Sequence, residues 1–300
     1  MSDQDYKSSP QPSPQSSSQS GALIRNISDT ARWAAVYRAR ETERPDAIFR
    51  DPFARRLAGE RGEEIARTLD RGRDRTWPWV ARTYLFDEFI TREIAGGADL
   101  VVNLAAGLDA RPYRLDLSAS LPWIEVDLPE ILAYKEELLG NAQPRCALER
   151  VRLDLADADA RRELFGRLGA RGHKALVITE GFLTYLAPEE VAILARDLAA
   201  PASFQRWILD IGSPGLLRML TKEVGSHLSQ AGAPFKFGPK EGPGFFTPYG
   251  WRPAAVRSYL QTAARLKRLP LFLRLMALLP ESSGAQGSRP WAAACLLEKE

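Results

Sequence analysis

Residues 101–114 read VVNLAAGLDARPYR: a short apolar run, a loop with one glycine, then a helix start. Strand, tight turn and helix in this order are how a parallel α/β sheet presents a nucleotide-like ligand to its carboxyl edge. The three-glycine G-x-G-x-x-G pattern of dinucleotide sites is missing, and a one-glycine loop suits a ligand without a pyrophosphate. Gly107 stands where the backbone must turn sharply and pass close to a ligand, Asp109 is placed to cap the following helix, and Pro112 is tolerated in its first turn. A plain tight turn would read the same way.

Outward from this stretch the pattern alternates between strand and helix. Strands are expected at 99–105, 123–127, 150–154, 175–180 and 206–212, and helices at 109–116, 129–139, 157–169 and 188–199. Such alternation argues for a parallel sheet covered on both faces. The strands end at Ala105, Asp127, Asp154, Glu180 and Asp210, so four acids line one rim if the strands are parallel and adjacent. Asp127 follows Gly107 by 20 residues, the separation at which an acid one strand over accepts hydrogen bonds from both ribose hydroxyls. It could also serve as a cap before Leu128-Pro129. Near the end, LKRLPLF (266–272) and PWAAACLLEKE (290–300) are strand candidates, with too short a connection for a helical crossover, so the last strand is expected to run antiparallel.

Ahead of the sheet, Ser28 is read as the N-cap of an alanine-rich helix that Pro45 follows. A short helix opens at Asp51-Pro52 and stops at Gly59, and a long amphipathic one runs over 77–97 to its closing glycines. Residues 1–22, rich in Ser, Gln and Pro, are expected to be a disordered tail, because they bury too little apolar surface to offset ordering. Residues 23–300 then form a single domain: a helical cap (23–97), a core (98–212), an irregular lid or substrate insertion (213–250) and a terminal helix with strands (251–300). The insertion's Phe235, Phe237, Phe245, Phe246, Tyr249 and Trp251 are candidate walls of a pocket.

The 41 basic and 38 acidic residues nearly balance, which argues against a nucleic-acid partner. Two cysteines, Cys146 and Cys295, are too few for a disulfide framework, no His/Cys cluster has metal-ligand spacing, and a reducing cytoplasmic location fits. The most apolar late segment, 269–280, contains Arg274 and is short of the roughly 18–20 residues that span a bilayer. No secretory signal opens the chain. His173 and His227 read as surface residues.

NLAAGLDARPYRL, WIEVDLPEI, RLDLAD and ITEGFLTYLAPEE, in this order, resemble the bacterial S-adenosylmethionine-dependent methyltransferases related to leucine carboxyl methyltransferase and to the tetracenomycin-type polyketide O-methyltransferases. The likeness includes RPDAIFRDPFARRL ahead of the sheet. It implies a class I methyltransferase, Rossmann-like α/β sheet, mostly parallel with an antiparallel last strand. It also implies S-adenosyl-L-methionine as cofactor, with Ala105 and Gly107 passing under the methionine part, Asp127 on the ribose, and Asp154 with Leu155 on the adenine. Glu180 takes an acidic cofactor-site position, and Arg82 pairs with the methionine carboxylate, for which a planar guanidinium is suited. The family's eukaryotic members carry glycine where this chain has Ala105. Read from the residues alone, Asp154 could be a helix cap, Glu180 a structural acid and Arg82 a solvated arginine.

The expected activity is O-methylation of a small carboxylic acid or phenol, polyketide-like or otherwise. No general base is identifiable beside the crevice, which favours a carboxylate, already ionised at neutral pH. A non-catalytic cofactor-binding module and an NAD-dependent dehydrogenase are the alternatives, the latter weakened by the single-glycine loop.

Overall fold

The structure, a computed structural model, describes residues 23–24, 28–70, 75–278 and 287–300. The tail expected over 1–22 lies outside the described residues. Three helices come first: α1 (Ser28–Thr42), α2 (Ala54–Asp70) and α3 (Trp77–Ala95). The alternating part follows as β1 (Leu100–Leu104), α4 (Arg111–Arg114), β2 (Pro122–Asp127), α5 (Pro129–Leu139), β3 (Ala147–Arg152), α6 (Ala158–Gly169), β4 (Ala175–Thr179), α7 (Pro188–Ala199) and β5 (Phe204–Gly212). The chain ends with α8 (Pro214–Gln230), β6 (Trp251–Ser258), α9 (Tyr259–Arg265), α10 (Leu271–Arg274) and β7 (Ala292–Lys299).

The seven strands make one sheet in the order β3-β2-β1-β4-β5-β7-β6. The first five are parallel, and β7 runs antiparallel to both β5 and β6. Because both faces are covered, the central strands read as continuous apolar runs, and successive side chains go to opposite layers. Leu100, Val102 and Leu104 of β1 join one core cluster with Trp207 and Leu209 of β5, whereas Val101 joins Ile178 and Ile208 on the other side. The N-terminal helices carry a third cluster, around Trp33, Tyr37, Leu57 and Ile65, which packs on Leu108 and Tyr113 beyond β1.

Several sequence expectations need correction. The helix expected to stop at Gly59 kinks there, at φ 60°, and continues to Asp70. Residues 213–250 are not irregular throughout: Ser213 accepts from the Leu216 N–H as an N-cap with Pro214 next, and a 17-residue helix follows. The sixth strand is WRPAAVRS rather than LKRLPLF; it holds Pro253 because it lies at the sheet edge, where a missing N–H breaks no central ladder. LKRLPLF is instead the end of one helix turn and the start of α10, with Lys267 at φ 56° between them. Of the six aromatics read as pocket walls, Phe246 and Trp251 pack edge-on against Trp207 in the core, and Phe245 and Tyr249 pack beside them. Only Phe235 and Phe237 face the main cavity. Both cysteines are buried free thiols.

The end of β2 is held in place by a buried ion pair. Glu125 and Lys135 are both fully buried, with Lys135 Nζ donating to Glu125 Oε1 at 2.7 Å. The second carboxylate oxygen takes Arg150 Nε at 3.0 Å, and Arg150 continues to the Tyr113 hydroxyl. Burying such charges is favourable only while every partner stays in place, so removing one leaves an uncompensated charge. Lys135→Met should therefore lower unfolding stability by about 3 kcal/mol, measured by urea denaturation. A loss under about 1 kcal/mol would mean that Arg150 alone neutralises Glu125.

Candidate functional site

The strand order reverses between β1 and β4, and the loops at the carboxyl ends of β1 to β5 open there onto a cavity of about 1510 Å³. Arg82, Ala105, Gly107, Asp127, Asp154, Leu155 and Glu180 all line it. Helix α1 closes over the β1 loop, with Ala31 so near Gly107 that a Cβ on the glycine would come within 3.3 Å of it. Ala105 takes φ +51° and Gly107 φ +48°. Ala105 therefore adopts the left-handed backbone that glycine occupies without strain, and holds it at about 1 kcal/mol of steric cost. The loop keeps the glycine-like shape despite its extra methyl group.

Asp127 meets this loop directly. Its Oδ2 accepts from the Gly107 N–H at 2.6 Å and its Oδ1 from the Leu128 N–H at 2.8 Å. Burial pushes its carboxyl above the usual range, while these two N–H groups act in the opposite sense. Each oxygen accepts one backbone bond and has lone-pair capacity left. Asp154 is exposed and accepts from the Ala156 N–H at 2.9 Å; the cap of α6 is Asp157, not Asp154. Leu155 is buried beside it, its carbonyl held by Arg161.

At the middle of the rim lies a chain of alternating charges. Arg111, 2% exposed, donates to Asp87 at 2.6 Å, to Glu180 at 2.6 Å and to Asp109 at 3.1 Å. Arg82 Nε lies 3.0 Å from the other Glu180 oxygen, and its NH1 is 3.6 Å from Asp210. Asp210 accepts from the Gly181 N–H at 2.6 Å. Gly181 is required here on two counts: its φ is +67°, and a Cβ would come within 3.0 Å of the Arg82 guanidinium. Arg82 is thus no solvated surface arginine, and Glu180 is both a cavity acid and a structural one.

Sequence reasoning did not find Arg111 or Asp87, which pair across elements with no fixed spacing. The glycine of ITEG carried the signal for Gly181. Asp210 was visible only as one more acid at a strand end. Asp109 does not cap α4 at the N-cap position, which is Ala110, but it accepts from the Arg111 N–H at 2.9 Å.

A mostly parallel sheet of this order, with an antiparallel β7 and an acidic rim at the β1/β4 reversal, is the class I methyltransferase fold. Two solved structures share the fold. A DUF574 family protein from Streptomyces avermitilis superposes with a TM-score of 0.59 at 13% identity, over 90% of this chain and 97% of that one. A candidate methyltransferase from Thermobifida fusca gives 0.54 at 15% identity, over 96% and 100%. In sequence, a candidate S-adenosylmethionine-dependent methyltransferase of Mycobacteroides abscessus is 34% identical over 59% of this chain and 62% of its own length. Another, from Mycobacterium avium, is 30% identical over 68% of this chain and 75% of its own. The leucine carboxyl methyltransferase family model matches residues 31–199. The chain belongs to that family.

The charge chain has a measurable pH signature. Burial raises the Asp109 pKa, but the Arg111 charge overrides it and holds the carboxyl down to about 2. A carboxylate depressed in the folded state contributes stability that is present above the unfolded value, near pH 4, and lost as pH falls towards 2. Asp109→Asn should lower stability by about 2 kcal/mol at pH 7 and flatten the decline between pH 4 and 2, as read by denaturant titration across pH. An unchanged acid limb would contradict the pairing with Arg111.

Proposed function

We propose that this chain transfers a methyl group from S-adenosylmethionine to an oxygen of a small, largely apolar acceptor, a carboxylate in preference to a phenol. The observation that carries this reading is one large cavity with two unlike ends. One end has Gly107, Asp127 and Asp154 on successive loops, and the other is walled by Leu216, Leu217, Phe235, Phe237 and Leu273. Its volume exceeds the roughly 300–1,000 Å³ of a one-ligand pocket, so it has room for cofactor and acceptor side by side.

When bound, S-adenosylmethionine supplies a methyl group already activated by its positive sulfur. The donor set fits such a group. Asp127 retains acceptor capacity for two ribose hydroxyls, the exposed Asp154 carboxylate suits an adenine amine, and buried Leu155 offers the ring an apolar surface. The peptides of Ala105 to Gly107 turn tightly enough to admit a close chain, and Arg82 suits a carboxylate at the methionine end. The protein's work is then alignment and exclusion of water, which the apolar walls and the covering α1 supply. No nucleophilic side chain is needed.

A specific observation favours the phenol as second reading. Asp210 lies on the cavity, and burial pushes its carboxyl up, against the Arg82 charge and the Gly181 N–H. A carboxylate with a raised pKa is a better general base, which a phenol needs and an ionised acid does not. Methyl-labelled S-adenosylmethionine with a panel of aromatic and aliphatic acids and phenols separates the two. Ester label is released as methanol in mild alkali, and that is the expected result; alkali-stable label would establish the ether instead. Asp127→Ala should weaken S-adenosylhomocysteine binding by about 30-fold or more in a folded protein, from the loss of charge-assisted hydrogen bonds. Near-normal affinity by calorimetry would restrict Asp127 to bracing the Gly107 loop.

A further inference from the structure

Exposed apolar side chains gather on one late segment. Of the six large apolar side chains exposed among the described residues, Leu271, Leu275, Met276 and Leu278 fall within a single stretch, with Leu271 and Leu275 at 75% and Leu278 at 79% exposure. Scattered single cases are ordinary on a protein surface, whereas a contiguous apolar patch marks a contact surface. Here α10 runs into a 3₁₀ turn at Met276–Leu278. Leu273 and Ala277 pack inward on the cluster that holds Tyr259, Ala263 and Leu269, while Leu271, Leu275 and Leu278, spaced by four and three, stay outside. Leu273 and Met276 also line the cavity, with Pro270. One segment is therefore cavity wall on one side and apolar patch on the other.

The charges beside the patch say what covers it. Between Glu241 and Glu281 the sequence holds five arginines and one lysine but no acid, although the chain as a whole is nearly balanced. Arg252 is taken by Glu298, Arg257 and Arg265 each lie 3.8 Å from Glu88, and Arg268 is held by Glu41 and Asp46. Lys267 and Arg274 are exposed and meet no carboxylate among the described residues; Arg274 Nε reaches the Leu269 carbonyl at 3.3 Å. Leucines beside uncompensated cations suit the interface of an anionic bilayer, where the apolar side chains enter the acyl boundary and the cations meet lipid phosphates. A second copy of the chain fits worse. Four apolar side chains are few against the roughly 20–30 residues a side of a stable protein interface, and a two-fold contact centred on them sets like charges against each other. No helix among the described residues is long and apolar enough to cross a membrane, so the contact lies on the bilayer rather than through it.

We propose that residues 267–278 dock the chain reversibly on an anionic lipid surface, with Leu271, Leu275 and Leu278 in the acyl boundary and Lys267 and Arg274 at the phosphates. The docking goes beyond the proposed function. One consequence rests on that reading: an apolar acceptor dissolved in the bilayer reaches the cavity past Pro270, Leu273 and Met276 without passing through water.

The test is cosedimentation of the full chain with vesicles of phosphatidylcholine alone and of phosphatidylcholine with one-third phosphatidylglycerol. The anionic vesicles should bind the chain at least tenfold more tightly, and about 0.5 M salt should remove most of that difference. The double variant Leu271→Ser, Leu275→Ser should weaken binding to them by about tenfold or more. Lys267→Asn should weaken it by about fivefold, asparagine being tolerant of the left-handed backbone at that position. None of these side chains is in the core or on the cavity, so the variants should keep the wild-type unfolding curve and S-adenosylhomocysteine affinity. No binding to either vesicle, equal binding to both, or unaltered binding of the leucine variant would overturn the proposal. So would a wild-type dimer that the leucine substitutions convert to monomer, since the patch would then be an interface between copies. Failure of the chain to bind S-adenosylhomocysteine while it still binds anionic vesicles would instead count against the proposed function alone.

Discussion

Arg111 places a permanent positive charge, almost wholly out of water, where the sheet reverses direction. A guanidinium there is tolerable only because Asp87 of α3, Asp109 of the β1 loop and Glu180 beyond β4 all meet it within 3.1 Å. Those three contacts fasten the helical cap to the sheet and fix the two loops that border the cavity. Glu180 then passes the constraint on to Arg82, and Arg82 to Asp210, so the charges alternate from α3 across β1, β4 and β5. The site's shape follows from electrostatic balance as much as from packing.

The same arrangement divides the cavity. On the β1–β3 side the ligand-facing groups are acceptors, Asp127 and Asp154, suited to hydroxyls and amines. Beyond β5 the lining turns largely apolar, with Leu216, Leu217, Leu260 and Leu273. A polar, hydroxyl-rich cofactor and a largely apolar acceptor, as proposed above, would be complementary to these two halves. The alternating charges lie between these two halves.

Much of this was legible in the sequence where the signal is local. Buried parallel strands read as apolar runs ending in acids, so five strands and the rim residues Gly107, Asp127, Asp154 and Glu180 could be placed before the structure. The antiparallel direction of the last strand was expected, but from a short connection after LKRLPLF, which is not a strand; β7 instead follows β6 across α9 and α10. What was not legible depends on distant partners. Pro253 disguised β6 because an edge strand tolerates it, and the glycines around 213–250 hid the Ser213-Pro214 helix start. The Arg111 contacts join residues 24 and 69 positions away, which no periodicity reports. Among so many arginines, nothing in the sequence separated the buried Arg111 from the surface ones, and Arg82 was singled out only by the family resemblance.

The account stands or falls on what the rim binds. Isothermal titration of the full chain with S-adenosylhomocysteine, with NAD as the competing nucleotide, tests this most directly. Saturable one-to-one binding of S-adenosylhomocysteine and no heat from NAD is the predicted result. Binding of NAD without S-adenosylhomocysteine would contradict it.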